Sequence, residues 1–259
     1  MKFISVGDNC VDVYIKQNKS YAGGCSVNFA IYIKQMNEES AYMGTVGEDD
    51  NGKLILDAIR KHGVDGSRIK TLPGKTAVTE VELIDNDRRF VSYEENVLKD
   101  FKLTEQDIEY ISQHHYMHTS IFGRIEPYFD KLKDRVKICY DFADKLTAEN
   151  IGTILDAVEY GFFSYEKDDL YIRDFLKKAY RHNMTCVVAT LGANGSIAYD
   201  GKKYVTKEAN RIDVVDTIGA GDSFIAGFMC AIANGKTIEE CLDYGTKKAE
   251  ETIGHFGAF

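Results

Sequence analysis

Proline is nearly absent, with 2 residues in a chain of 259, so no proline-rich linker divides the sequence. Positive charge is also short: 32 Lys+Arg against 41 Asp+Glu leave a formal net charge of −9. No basic stripe stands out, which argues against nucleic acid or an anionic membrane as a partner. No apolar run reaches the roughly 18 residues of a membrane span. No basic, apolar and small-residue leader follows Met1, so a cytoplasmic protein is expected. The cysteines, at 10, 25, 139, 186, 230 and 241, contain no CxxC pair and no regular framework. They read as buried or free thiols of a reducing compartment.

What remains is an ordinary globular composition, 44% hydrophobic, long enough to bury a sizeable core. Short apolar runs such as "FISV", "RVKICY", "YGFFSY" and "TCVVATLG" have the continuous pattern of buried parallel strands. Between them lie segments of helical period, among them "SVNFAIYIKQM", "NGKLILDAIRKHGV" and Leu170 to Arg181. This alternation predicts an α/β fold, a mostly parallel sheet with helices on both faces. Two stretches alternate at period two instead, about 10–24 and 76–93, the second around Asp85-Asn86-Asp87. They read together as a small β-sheet lid inserted into a single domain spanning 1–259.

Near the end of the chain, "DTIGAGDSF" sets Gly219-Ala220-Gly221 directly before an apolar helical segment in which Phe224, Phe228 and Ile232 recur. Open backbone amides and the positive end of the helix dipole then meet at an anion site. Three readings compete. A dinucleotide fingerprint needs Gly or Ala where Phe224 stands, and Asp222 would face the pyrophosphate. A glycine-eased turn with Asp222 as a helix-terminal carboxylate is the plain structural reading. The favoured reading is phosphoryl transfer, with the amides holding the migrating group and Asp222 as general base. "GEDDNGKL" imitates a P-loop, but Leu54 replaces the Ser or Thr that would hold magnesium, and its carboxylates would repel a triphosphate.

"DTIGAGD" resembles the D-T-x-G-A-G-D signature of the ribokinase-like (phosphofructokinase-B) carbohydrate kinases. "GGCSVN" is similar to the family's G-G-x-x-x-N, "VGEDDNGKLILDAIRKHGVD" to its G-x-D-x-x-G…L…G-V-D segment, and "TLGANGS" to its T-L-G-x-x-G turn. The resemblance covers nearly the whole chain in order. It implies a ribokinase-like three-layer α/β/α sandwich with a lid, and an ATP-dependent sugar kinase using magnesium. "GDNCVDVY", "TEVELIDNDRRF" and "HFGAF" place it nearest the members that act on fructosamines, sugars joined to an amine by an Amadori linkage. Rival acceptors are fructose, ribose and keto-deoxy sugar acids. A catalytically silent sugar or nucleotide sensor is the rival from another class.

The resemblance also implies roles. Asp222 is the base, and Gly219, Ala220 and Gly221 form the anion hole. Asp12 and Asn28 would hold sugar hydroxyls, with Gly23 and Gly24 giving the sugar room. The plainer readings are a strand-end aspartate and a helix asparagine. Cys25 stands where ribokinases often carry lysine, which points to a different substrate head. Arg88 or Arg89 in the lid could pair a substrate carboxylate. Thr190, Gly192, Gly195 and Ser164 would line the nucleotide. Where the family shows N-x-x-E, this chain has Ser164 and Lys167, leaving Glu166 or Asp168 as substitutes and no assigned metal ligand. Asp216 and the Ile218 carbonyl match half of a monovalent-cation site, so potassium dependence is doubtful. A homodimer through the lid strands fits the family. "HHYMH" reads as strand and surface histidines, with His118 a candidate to face the sugar.

Overall fold

The apolar runs do form strands, and in the computed structural model of the chain most of them join one sheet. The structure describes residues 1–84, 87–147 and 149–259, and of these the side chains of all but 83, 84 and 87–90. The first strands are Lys2–Val6 (β1), Cys10–Tyr14 (β2), Lys19–Gly23 (β3), Glu39–Met43 (β4), Thr45–Gly47 (β5) and Lys70–Leu72 (β6). Val78–Ile84 (β7), Asp87–Glu94 (β8), Tyr116–Ser120 (β9) and Lys137–Asp141 (β10) follow. Tyr160–Ser164 (β11), Cys186–Thr190 (β12), Ser196–Tyr199 (β13) and Tyr204–Lys207 (β14) complete them. The helices are Cys25–Gln35 (α1), Asp50–Lys61 (α2), Glu105–Ile111 (α3) and Phe129–Leu132 (α4). Ile151–Leu155 (α5), Leu170–Ala179 (α6), Ala220–Ala233 (α7) and Ile238–Thr252 (α8) come after.

The main sheet has eight strands in the order β14-β13-β12-β11-β10-β9-β1-β4. It is parallel from β12 to β4, and β13 alone runs against the rest, pairing antiparallel with both β12 and β14. Successive side chains leave a strand on opposite faces. Ile4, Ile138 and Phe163 therefore enter a core shared with α3 to α6. Their neighbours Phe3, Cys139 and Phe162 enter a second core under α1, α7 and α8. Both faces are covered, which is why these strands are apolar throughout. Burying each such phenylalanine contributes about 1.5–3 kcal/mol. The expected three-layer sandwich is thus present.

Packing of α7 on α8 is unusually close. A Cβ on Gly227 would meet the Gly245 Cα at 3.1 Å and Lys248 Cγ at 2.9 Å. This glycine is there for helix contact.

The lid is a four-stranded sheet in the order β3-β2-β7-β8, as the period-two stretches predict. Asn18 turns the first hairpin in the left-handed region, at φ 48°. The expected turn at 85–86 lies outside the described residues. Thr76 belongs to the approach to β7 rather than to the lid, because its amide and hydroxyl both donate to Asp49. Asp49 also caps α2 by accepting from the Gly52 amide at 2.8 Å. The P-loop look-alike is therefore a helix start tied to a neighbouring loop. Beside it β5, the end of the apolar run "AYMGTV", pairs with β6, a strand the sequence pattern does not mark.

Candidate active site

Because β1, β9, β10, β11 and β12 are parallel, their carboxyl ends line up along one edge. Asp8 follows β1, and Ser120, Asp141, Ser164 and Thr190 close the others in turn. Ligands of open α/β sheets bind along such an edge. Two helices start over it. Gly219 caps α7 in the left-handed conformation, at φ 75°. Its carbonyl accepts the first helical bond, from Ser223 at 2.8 Å.

Asp222 lies in the first turn of α7 and is only 8% exposed. Asn28, from α1, donates through Nδ2 to Asp222 Oδ2 at 2.7 Å. That bond and the helix start both favour the ionised carboxylate. Among the described residues the Gly219 and Gly221 amides have no hydrogen-bond acceptor. The Ala220 amide leans on the Thr217 carbonyl at 3.3 Å, so the expected anion hole rests on the two glycines. A Cβ on Gly221 would meet nothing within 4 Å, leaving open space at the helix start.

Asp12 enters from lid strand β2 and is buried. A Cβ on Gly23 would lie 2.2 Å from Asp12 Oδ2, and one on Gly24 would lie 2.5 Å from the Asn9 Cα. The glycine pair thus makes room for the Asp12 carboxylate and for the chain at Asn9. Arg89 pairs with Glu82 along the lid ladder, and the Arg88 and Arg89 side chains lie outside the described residues.

Two further buried acids, Asp8 and Asp141, lie at this edge. Asp8 Oδ1 accepts from Ser26 of α1 and Ser120 of β9, both at 2.8 Å, so it knits three elements together. Burial raises its pKa above the usual carboxylate range. Asp141 is held by the Ala143 amide at 2.8 Å, in a turn where Ala143 takes φ 50°. Carboxylate oxygens of Asp141 and Asp222 and the Cys25 sulfur all lie within 4.8 Å of one another. Burial and then the neighbouring Asp222 charge raise Asp141 to about 7. Burial and the same acids hold the Cys25 thiol well above its ordinary value, so it stays protonated and is a poor metal ligand. Depth in the fold and perturbed titration are the signals that find these two acids, and both need three dimensions.

At the far end of the edge, Thr190 Oγ1 lies 3.4 Å from both Phe163 O and Ser164 Oγ. Gly192 turns with φ 57°, and a Cβ added there would meet nothing within 4 Å, so a ligand can approach its backbone. At Gly195 a Cβ would lie 2.0 Å from the Lys207 carbonyl, so this glycine serves the turn. The four expected nucleotide residues therefore gather at one place.

Several expectations change. His118 is fully buried in mid-sheet, stacked on Phe29 at 4.1 Å, and does not face the sugar. Its Nδ1 meets Ser5 Oγ at 2.9 Å, and burial lowers its pKa to about 3. His115 Nδ1 accepts from the Lys2 amide and His114 Nδ1 sits on the Tyr110 carbonyl, so the three histidines share no site. Asp168 is taken by Arg173, whose Nε donates at 2.6 Å and whose Nη2 holds the second oxygen, while Glu166 is exposed. Asp216 accepts from the Tyr14 hydroxyl, the Ile218 amide at 3.0 Å and the Gly257 amide at 3.1 Å. Its charge is already met by protein donors.

No described helix is long and apolar enough to cross a membrane. The chain is 38% identical to a fructoselysine 6-kinase of Escherichia coli over 98% of both chains. It is 31% identical to a fructosamine kinase of Bacillus subtilis, over 100% of this chain and 93% of that one. Its fold matches an Arabidopsis thaliana ribokinase solved with ribose and ATP, at a TM-score of 0.87 and 22% identity, over 99% and 94% of the two chains. The sequence profile of the pfkB family carbohydrate kinases matches residues 1–125 and 169–259. The chain belongs to that family, and with it to the ATP-dependent sugar kinases.

Proposed function

We propose that the chain phosphorylates the C6 hydroxyl of fructoselysine, using ATP, with Asp222 as general base. The carrying observation is a buried carboxylate at a helix start, beside two glycine amides that have no acceptor among the described residues and next to open space. The 38% identity to a fructoselysine 6-kinase supports the acceptor. In this reading Asp12 and Asn28 position the sugar, with Arg89 offered to the lysine carboxylate, and Ser164, Thr190, Gly192 and Gly195 border the nucleotide.

The C6 oxygen bonds to the γ-phosphorus as the bond to the bridging oxygen breaks, and ADP leaves with that electron pair. The hydroxyl proton passes to the Asp222 carboxylate. A loose transition state needs this transfer only late, so the base can have an ordinary carboxylate pKa. The Gly219 and Gly221 amides take up charge on the migrating group. Mg²⁺ would neutralise the nucleotide's phosphates and be held mainly by them and by water. Of the candidate acids near Ser164, exposed Glu166 could reach that shell, since Asp168 is paired.

Lid closure would keep water from competing as acceptor. A cytoplasmic homodimer joined through lid strands is part of this reading. It is supported by the exposed Ile15, Val91 and Tyr93 on or beside those strands.

The test is an acceptor panel: ADP release with fructoselysine, an α-fructosamine, fructose, ribose and a keto-deoxy sugar acid. Fructoselysine should give the highest kcat/KM, with the phosphate on C6 by NMR. A higher value for another sugar would reassign the acceptor, and binding without turnover would indicate a sensor.

A further inference from the structure

We propose that Asp141 is a positioning residue for the base: it holds one proton between itself and Asp222, so the two carboxyls carry a single negative charge. This rests on the reading of Asp222 as general base. Both residues are 8% exposed, and their carboxylate oxygens lie within 4.8 Å. Two carboxylates so close and so buried do not readily ionise together.

Geometry decides which one keeps the proton. Asp222 has the Asn28 amide at 2.7 Å and the start of α7 behind it. Asp141 ends a strand and has the Ala143 amide at 2.8 Å. Among the described residues, the charged and titratable groups that face Asp141 add no positive charge. They are Asp222 from α7, Asp8 from the turn after β1, Cys25 from α1 and Asp144 from the following turn. Cys139 and Tyr140 precede it on its own strand. The nearest lysine in sequence, Lys145, is half exposed and bonded to Asp144 at 2.6 Å. The upward shift of Asp141, caused first by burial and then by Asp222, agrees with this assignment.

The consequence is catalytic. The γ-phosphoryl group enters carrying negative charge, and a second ionised carboxyl beside the base would repel it. The competent site is therefore the one with Asp141 protonated. Turnover should fall as that proton is lost, giving an alkaline limb that depends on the carboxyl at 141. As the titration of a coupled pair, it reports the two acids together.

The experiment is kcat against pH from 5.5 to 9 with ATP, Mg²⁺ and fructoselysine, for wild type and Asp141→Asn. Wild type should lose about tenfold per pH unit above its alkaline limb, the slope of one titrating group. Asp141→Asn, neutral at every pH, should lack that limb, and its acid limb should move lower. A variant that keeps the wild-type alkaline limb would overturn the proposal. Wild type without ADP release, or Asp222→Asn as active as wild type, would instead remove the underlying reading. Should Asp141→Asn fail to fold, carboxyl NMR of wild type carrying ¹³C-aspartate decides. An assigned Asp141 carboxyl titrating between pH 6 and 8 supports the proposal, and one ionised throughout that range contradicts it.

Discussion

Asn28 and Asp222 stand 194 residues apart in sequence and 2.7 Å apart in space. One comes from the first helix and the other from the seventh, so their bond ties the starts of the two helices together across the site. It is charge-assisted, and such bonds contribute about 1.5–3 kcal/mol. Replacing Asn28 by Ala should lower kcat/KM for the sugar about 10–100-fold, the same energy expressed as a rate. Steady-state kinetics check this. A change under threefold would mean the bond is merely structural.

The two glycines at the start of α7 should fail in different ways. A methyl at Gly219 would meet the Tyr32 hydroxyl at 2.6 Å and Ala258 Cβ at 2.8 Å, on a backbone of φ 75°. Gly219→Ala should therefore unfold at lower temperature, by several degrees, as expected for a loss of about 1–3 kcal/mol. Gly221 has room for a methyl. Gly221→Ala should keep its Tm within about 2 °C and lose activity, because the methyl occupies the space where phosphate must approach. Thermal scans beside ADP-release assays separate the two.

Replacing K⁺ by choline at equal ionic strength should leave kcat unchanged. Asp216, the residue that would anchor a monovalent cation, already accepts from Tyr14, Ile218 and Gly257. Activation by K⁺ that saturates would show that this arrangement opens during turnover.

His118 should make the protein acid-sensitive. Its folded pKa, about 3, lies below the unfolded value near 6.5. Between those values the unfolded chain binds a proton that the folded one does not. This group's contribution therefore weakens as pH falls from 6.5 toward 3, by up to about 1.4 kcal/mol per pH unit. His118→Phe keeps a ring against Phe29 and has no proton to gain. Its Tm should fall less steeply than wild type between pH 6 and 4. Parallel slopes would assign the acid sensitivity elsewhere.

Much of this site is legible in the sequence because glycines and carboxylates at fixed spacing have few other uses. "DTIGAGD" marks the start of α7, and the structure brings Asn28 to it although nothing local at Asn28 announces that. Period two marks the lid, and unbroken apolar runs mark strands covered on both faces. Asp8 and Asp141 escape because each is a lone acid at a strand end, and only strand order brings both to the edge of the sheet where α7 starts and sets Asp141 beside Asp222. The family profile skips 126–168, the stretch that carries Asp141. His118 misleads for the reverse reason. It lies near the carboxyl end of β9, but its ring turns into the core and stacks on Phe29.

The role of Asp222 carries all the rest, and one comparison tests it most directly: ADP release from ATP and fructoselysine by wild type and by Asp222→Asn. Removing a general base should cut kcat by about 10²–10⁴-fold. Nucleotide affinity and Tm should stay near wild type. An Asn variant turning over within a few-fold of wild type would contradict the account.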